Sequence, residues 1–100
     1  MSDKPLNPWE LITDRTQLKL LGKLAEELAE AGAATSRCII HGVDECEPVT
    51  GYPNRRWLED EIADVQALII MVIGHYQLNS DTMVKRVSSK VAYIQRWLSL

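Results

Sequence analysis

The sequence predicts an all-α domain, a bundle of three to four helices, and three observations support that fold class. Apolar residues recur at steps of three and four along three long stretches, as on one face of a helix. Suitable capping residues precede the first and last stretches. Glycine and proline are concentrated in one interval, residues 41–54, which separates the first stretch from the second.

The chain is predicted to consist of an N-terminal arm, residues 1–13, and one helical domain, residues 14–100. Pro5 and Pro8 disfavour helix in the arm, because proline lacks the backbone N–H and restricts its neighbour. The first ten residues are too polar for a signal peptide. No apolar run approaches the roughly 20 residues of a membrane span. We therefore expect a soluble, cytoplasmic protein with both cysteines reduced.

The first helix is predicted to begin at Thr13 or Asp14, to continue to about Ile40 and to stop at Gly42. A polar loop over 41–54 follows it. The apolar stripe of this helix is predicted to consist of Leu18, Leu21, Leu24, Ala25 and Leu28.

The second and third helices are predicted over about 54–78 and 81–98. The second is apolar nearly all round from Ala67 to Ile73, a pattern typical of a helix buried on several sides. A chain of this length has little else to cover it, so we expect a homodimer or homotetramer to complete the core. The predicted main stripe of the second helix is Leu58, Ile62, Val65, Ile69, Val72 and Tyr76. The predicted inner face of the third is Met83, Val84, Val87, Val91, Ile94 and Leu98.

Two pairs of acidic residues dominate the candidate chemistry. Glu27 and Glu30 lie in the run EELAE, and Glu61 and Asp64 lie in the run LEDEIAD. The i, i+3 spacing places both members of a pair on one side of a helix. Each pair borders an apolar stripe, so packing of the two helices brings four carboxylates together. Such charges repel one another unless a cation lies between them, and all-oxygen ligation favours Mg²⁺ or Mn²⁺.

A solvated surface is the ordinary explanation for acidic pairs on helices. Lys23 precedes Glu27 by four residues, so a surface ion pair explains that residue equally well. The complete set of four is harder to explain in this way, because carboxylates at a semi-buried boundary cost free energy without a cation. Two further i, i+4 pairs are assigned no chemistry: Arg55 with Glu59, and Arg56 with Asp60.

The acidic runs and the helices that carry them resemble the MazG-like branch of the all-α NTP pyrophosphohydrolases. The signature of that family is E-E-x-x-E, a variable spacer and then E-x-x-D at the head of an apolar helix. The resemblance covers about residues 14–98. The spacer of thirty residues is at or beyond the long end for the family. The signature falls on Glu26, Glu27, Glu30, Glu61 and Asp64.

The resemblance implies an enzyme that hydrolyses a nucleoside triphosphate, NTP or dNTP, to the monophosphate and pyrophosphate. It implies that Glu26 or Glu27 is the general base. The family commonly adds a basic residue on its last helix to bind phosphate, and Lys90 is the best match, with Lys85 second. The amide that accompanies it has no clear counterpart, and Asn79 and Gln95 are the two candidates. The implied ligands of Mg²⁺ are Glu27, Glu30, Glu61 and Asp64.

Two other functions remain open. A non-catalytic interaction protein would use the acidic flanks to bind a basic partner and the apolar second helix as a docking face. A nucleotide sensor would keep the same fold without turnover. The net charge of −3 argues against a general nucleic-acid binder, which needs a basic face.

Two other groups of residues are weaker indications of a binding site. Cys38, His41 and Cys46 form a C-x₂-H-x₄-C pattern, but a zinc site normally needs a fourth ligand and regular spacing. Three aromatic residues are suited to stack on a base, although such residues more often pack against helices: Trp9, Tyr52 and Trp57.

Overall fold

The structure, a computed structural model, describes residues 11–100, and three α-helices account for most of them. The helices are α1 (Arg15–His41), α2 (Asn54–Tyr76) and α3 (Ser80–Leu98). The prediction of an all-α fold is confirmed for this part of the chain, in which the backbone forms one isolated bridge and no strand. Most of the predicted N-terminal arm lies outside the described residues.

The helix ends are fixed by local hydrogen bonds, as the capping residues predict. The side chain of Asp14 accepts a hydrogen bond of 2.8 Å from the amide of Gln17. The side chain of Asn79 accepts one of 3.1 Å from the amide of Thr82. Gly42 ends α1 with a φ of 98°, a backbone conformation that favours glycine. These contacts depend on short stretches of sequence, so the helix boundaries are predictable to within about two residues.

α1 and α2 form an antiparallel pair, because the end of α1 lies beside the start of α2 at the loop and the start of α1 lies beside the end of α2. We use the term interhelical seam for the least exposed residues of the two helices, which recur at steps of three and four. In α1 the interhelical seam contains Leu20, Leu24, Glu27, Ala31 and Ala34, and in α2 it contains Leu58, Glu61, Val65, Leu68 and Val72.

The interhelical seam of α1 differs from the predicted apolar stripe. Leu18 and Leu28 are 51% and 52% exposed, whereas Glu27 is 6% exposed. The buried face of α1 is therefore rotated toward Glu27 relative to the prediction. A carboxylate consequently occupies a position in the packed face that an apolar side chain would ordinarily fill.

α3 makes few contacts with the rest of the described chain, and none of its residues is buried. The prediction of a buried inner face is wrong for the single chain. Met83 is half-buried, beside a groove that Ile69 and Ile73 also line. The other members of the predicted face are 40–69% exposed: Val84, Val87, Val91, Ile94 and Leu98.

The single chain has an extended shape and a small core. Its radius of gyration is 18.2 Å, whereas a compact chain of this length has one of about 13 Å. Among the described residues, Ala34 and Val72 are the buried apolar side chains, with 3% and 9% exposure. Over residues 11–100, no helix combines the length and the apolar character needed to cross a membrane.

Candidate metal centre

Carboxylates from α1 and α2 meet in the middle of the interhelical seam. Glu27, Glu61 and Asp64 each place a carboxylate oxygen within 4.8 Å of the others. Glu26, Glu27 and Glu30 form a second group with the same spacing. Glu27 belongs to both groups, so the structure brings together all five acidic residues of the predicted site. We call these five residues the carboxylate cluster.

The two carboxylates that face each other across the interhelical seam have oxygens without hydrogen-bond partners. Glu27 Oε1 lies 3.4 Å from Lys23 Nζ, but Glu27 Oε2 is buried and accepts no hydrogen bond. Glu61 is half-buried, and its Oε2 is likewise buried and unpartnered. Each such oxygen costs roughly 1–3 kcal/mol. A divalent cation bound between the helices removes that cost, and an all-carboxylate donor set fits a hard ion.

Electrostatic repulsion within the carboxylate cluster raises the pKa of Glu30. The charge of Glu27 is the largest cause, followed by desolvation and the charge of Glu61. Glu30 therefore keeps its proton to a higher pH than an isolated glutamate does. This coupling links α1 to α2 electrostatically at the same point where their backbones pack.

Lys23 partly compensates the charge at one edge of the carboxylate cluster. Its ammonium lies 3.3 Å from Glu26 Oε1 and 3.4 Å from Glu27 Oε1, and these hydrogen bonds raise the pKa of Lys23. The surface ion pair that the sequence suggests is therefore present. It satisfies one oxygen of Glu27 and leaves the deeper one free. Glu26 is more than half exposed and forms the outer edge of the cluster.

Two cavities adjoin the carboxylate cluster and share Trp57 and Glu61. The first, of about 370 Å³, lies between α1 and α2, and we call it the cluster cleft. The second, of about 360 Å³, lies between α2 and the preceding loop, and we call it the loop pocket. The cluster cleft is lined by Glu30, Ala33, Ala34, Arg37, Trp57 and Glu61. The loop pocket is lined by Thr50, Tyr52, Trp57, Asp60 and Glu61.

Arg37 is a basic residue beside the carboxylate cluster that the sequence reasoning missed. Its guanidinium carbon lies 3.9 Å from the ring centroid of Trp57, and its side chain lines the cluster cleft with Glu30. Arg37 follows Glu30 by seven residues, or two helical turns, and so lies on the same face of α1. That spacing is the signal that could have identified it.

The structure does not bring Lys90 or Lys85 to the carboxylate cluster within one chain. Both lie on α3, which packs weakly against α1 and α2. The ammonium of Lys90 lies 5.3 Å from the ring centroid of Tyr93, on a surface that Arg86 also lines. A role for Lys90 at the cluster therefore requires a second copy of the chain.

The loop between α1 and α2 is held by its own polar side chains. Glu47 accepts hydrogen bonds from the amides of Val49 and Thr50 and from the hydroxyl of Thr50. These bonds, the hydroxyl first, lower the pKa of Glu47. Asn54 is fully buried, and its amide donates a hydrogen bond of 3.0 Å to the carbonyl of Gly42. The wall of the loop pocket is consequently an ordered structure.

The charged residues at the start of α2 have partners other than those their spacing indicates. Arg55 donates to Asp44 in the loop through Nε and Nη2, at 2.8 and 2.7 Å, rather than pairing with Glu59. Asp60 accepts a hydrogen bond of 2.5 Å from the hydroxyl of Tyr52, and this bond raises the pKa of the tyrosine. Both contacts join the loop to α2.

The cysteines do not assemble with histidine into a metal site in the described part of the chain. The groups of potential ligands found within residues 11–100 consist of carboxylates alone. Both cysteines are free thiols, and Cys38 Sγ lies 3.9 Å from the backbone carbonyl of Asn54. Cys38 is half-buried at the end of α1, whereas His41 and Cys46 are exposed.

Comparison of the chain with protein-family models, with curated proteins and with solved structures found no match. The resemblance to the MazG-like pyrophosphohydrolases therefore stays a prediction. It rests on the five acidic residues and on the order of the helices.

Proposed function

We propose that this chain is a nucleoside triphosphate pyrophosphohydrolase that depends on Mg²⁺ or Mn²⁺. The observation that carries the proposal is the pair of buried, unpartnered oxygens of Glu27 and Glu61 within one carboxylate cluster. An acidic site binds a polyanion only when cations neutralise the negative charges of both the site and the ligand. A triphosphate itself binds Mg²⁺. The adjoining cavities leave room for a nucleotide beside the cluster.

In the proposed mechanism, each residue has a role that follows from its place in the carboxylate cluster. Glu27, Glu61 and Asp64 would hold the metal, with Glu30 completing the set at the edge of the cluster cleft. A divalent ion held there would supply charge neutralisation for the phosphates and activation of water. Glu26 is the better general base of the two candidates, because it is exposed while Glu27 is buried. Water attacks the α-phosphorus, the bond from that phosphorus to the bridging oxygen breaks, and pyrophosphate leaves.

Arg37 is the residue of a single chain best placed to bind phosphate in this proposal. It lines the same cleft as Glu30 and Glu61, and stacking on Trp57 holds its guanidinium in place. A planar guanidinium binds phosphate oxygens in pairs. Lys90 remains a proposal for a phosphate ligand supplied by a second chain.

Product analysis tests the proposed function. The purified protein is incubated with canonical NTPs and dNTPs in Mg²⁺ and in water enriched in ¹⁸O. We expect monophosphate and pyrophosphate as the first products, with ¹⁸O in the monophosphate, since attack takes place at the α-phosphorus. Orthophosphate and diphosphate as first products, ¹⁸O in the pyrophosphate, or no turnover of any nucleotide would contradict the proposal.

Divalent metal is expected to raise the melting temperature of the protein, because it relieves repulsion in the carboxylate cluster. The raised pKa of Glu30 means that the metal-free protein gains stability as the pH falls and loses it as the pH rises through that pKa. The effect of metal should accordingly grow as the pH rises through the raised pKa of Glu30. Thermal unfolding with Mg²⁺ and with EDTA checks this. A Glu61→Gln variant should lose most of the shift, and an unchanged melting temperature at millimolar Mg²⁺ would count against the site.

We also propose that a second copy of the chain covers α3 and the C-terminal half of α2, as a homodimer or homotetramer. The exposed apolar residues Ile70, Met71 and Val87 support this assembly. Within residues 11–100, burial of only two apolar side chains leaves little to offset the conformational entropy lost on folding. The same exposed face favours a second candidate function, a non-catalytic interaction protein, for which Mg²⁺ should not change thermal stability.

A further inference from the structure

The loop pocket has chemical features that the proposed hydrolysis does not use. It lies next to the carboxylate cluster, because Glu61 belongs to both. Its volume of about 360 Å³ is within the usual range for small-molecule sites. The rings of Tyr52 and Trp57 form part of its wall, with centroids 6.1 Å apart and planes at 85°. Aromatic walls of this kind bind planar heterocycles by stacking.

The hydroxyl protons in the wall of the loop pocket are already used within the protein. The hydroxyl of Thr50 donates to Glu47 Oε2 at 2.6 Å, and the hydroxyl of Tyr52 donates to Asp60 Oδ2 at 2.5 Å. An ionised carboxylate accepts hydrogen bonds and donates none, so the direction of both bonds is fixed. Each hydroxyl oxygen therefore offers a ligand only its lone pairs.

The backbone donors next to the pocket are used in the same way. The amides of Val49 and Thr50 donate to the carboxylate of Glu47, and the amide of Gly51 donates to the carbonyl of Glu47 at 2.8 Å. The amide of Tyr52 donates to the hydroxyl oxygen of Thr50 at 3.3 Å. Apart from the indole N–H of Trp57, the polar groups of the wall are thus hydrogen-bond acceptors. The carboxylate of Asp60 is the strongest of them, because the carboxylate of Glu61 belongs to the carboxylate cluster.

We infer that the loop pocket binds the nucleobase and selects bases that carry an exocyclic amino group, such as cytosine and adenine. This inference rests on the proposed function, which places a nucleotide beside the carboxylate cluster. An amino group donates to the acceptor-rich wall. A carbonyl oxygen at the same ring position meets an acceptor and gains no hydrogen bond from it. We expect a preference of at least about tenfold, corresponding to roughly 1.4 kcal/mol.

Binding of nucleosides, in EDTA and without phosphate, tests this inference separately from catalysis. Two matched pairs differ in the amino group: cytidine against uridine, and adenosine against inosine. Backbone amide shifts of Thr50, Gly51 and Tyr52 in two-dimensional NMR follow the titration to millimolar concentration. We expect the amino-bearing member of each pair to bind at least about tenfold more tightly. Equal affinities within both pairs, or no shift at these amides with any of the four nucleosides, would overturn the inference.

Two variants change the number of hydrogen-bond acceptors in the pocket wall in opposite directions. Asp60→Asn introduces a donor amide, so the ratio of cytidine to uridine affinity should fall toward one or invert. Tyr52→Phe keeps the ring and frees Asp60 from its internal bond, so the ratio should be kept or increased. Glu59→Gln, at the neighbouring exposed position, is the matched control and should behave like the parent. A ratio that Asp60→Asn leaves unchanged, with Tyr52→Phe also unchanged, would overturn the assignment to this wall.

The outcomes separate this inference from the proposed function. Discrimination between the nucleosides without pyrophosphate release would reject the enzyme and keep the pocket. Pyrophosphate release from every triphosphate at one rate, with equal nucleoside binding, would keep the enzyme and reject the pocket.

Discussion

Replacing Asp64 by asparagine or Glu61 by glutamine is expected to lower the rate of pyrophosphate release by at least about a hundredfold. Each substitution keeps the size of the side chain and removes one negative charge from the carboxylate cluster. Because the carboxylates repel one another, the loss of a charge should leave the metal-free fold as stable as the parent or more stable. Steady-state kinetics together with thermal unfolding separate the two effects.

Glu59→Gln is the internal control for these variants. Glu59 is exposed on α2 and belongs to neither group of converging carboxylates. The same chemical change at this position should leave the rate within about twofold of the parent, since exposed substitutions away from a site have small effects. Equal losses in Glu59→Gln and Asp64→Asn, or full activity in Asp64→Asn, would show that the carboxylate cluster is not the catalytic site.

A charge placed on the exposed apolar face is expected to dissociate the proposed assembly. Ile70 and Val87 are 69% and 60% exposed in the single chain. If a second copy covers them, Ile70→Glu or Val87→Glu buries an unpaired carboxylate and should weaken association by at least about a hundredfold. Light scattering measures the mass of each variant. Circular dichroism should show a loss of helix on dissociation, since the separated chain has a very small core.

Ser36→Glu provides the comparison, because Ser36 is an exposed polar residue on α1 outside the interhelical seam. This variant should assemble like the parent. A parent protein that is a stable, fully helical monomer at micromolar concentration would reject the assembly. So would Ile70→Glu and Val87→Glu variants that assemble as Ser36→Glu does.

The sequence allowed the three helices and their ends to be predicted, because caps such as Asp14 and Asn79 act through hydrogen bonds to residues three positions away. The i, i+3 acidic pairs were predictable for the same reason. Their convergence depended on which faces of α1 and α2 pack. The stripe predicted for α1 contained Leu28, and the structure instead buries Glu27. A hydrophobic pattern does not anticipate a carboxylate at such a position.

The remaining features of the site depend on contacts between distant parts of the chain. Arg37 becomes part of the cluster cleft through Trp57, which α2 supplies. The acceptor character of the loop pocket comes from a bond between Tyr52 in the loop and Asp60 in α2. The apolar pattern of α3 predicted a buried face, and in the single chain that face is largely exposed, because α3 makes few tertiary contacts. These features depend on tertiary contacts, which local sequence patterns do not specify.

The burial of Glu27 and Glu61 has a consequence for selection on this protein. Leucine at both positions would complete an unbroken heptad repeat between the two helices, and hairpin stability would rise as the unpartnered oxygens disappear. A library screened for heat resistance alone would therefore accumulate aliphatic residues at positions 27 and 61. A library screened for turnover would keep glutamate at both. On the proposed function, stability and catalysis would therefore favour different residues at these two positions.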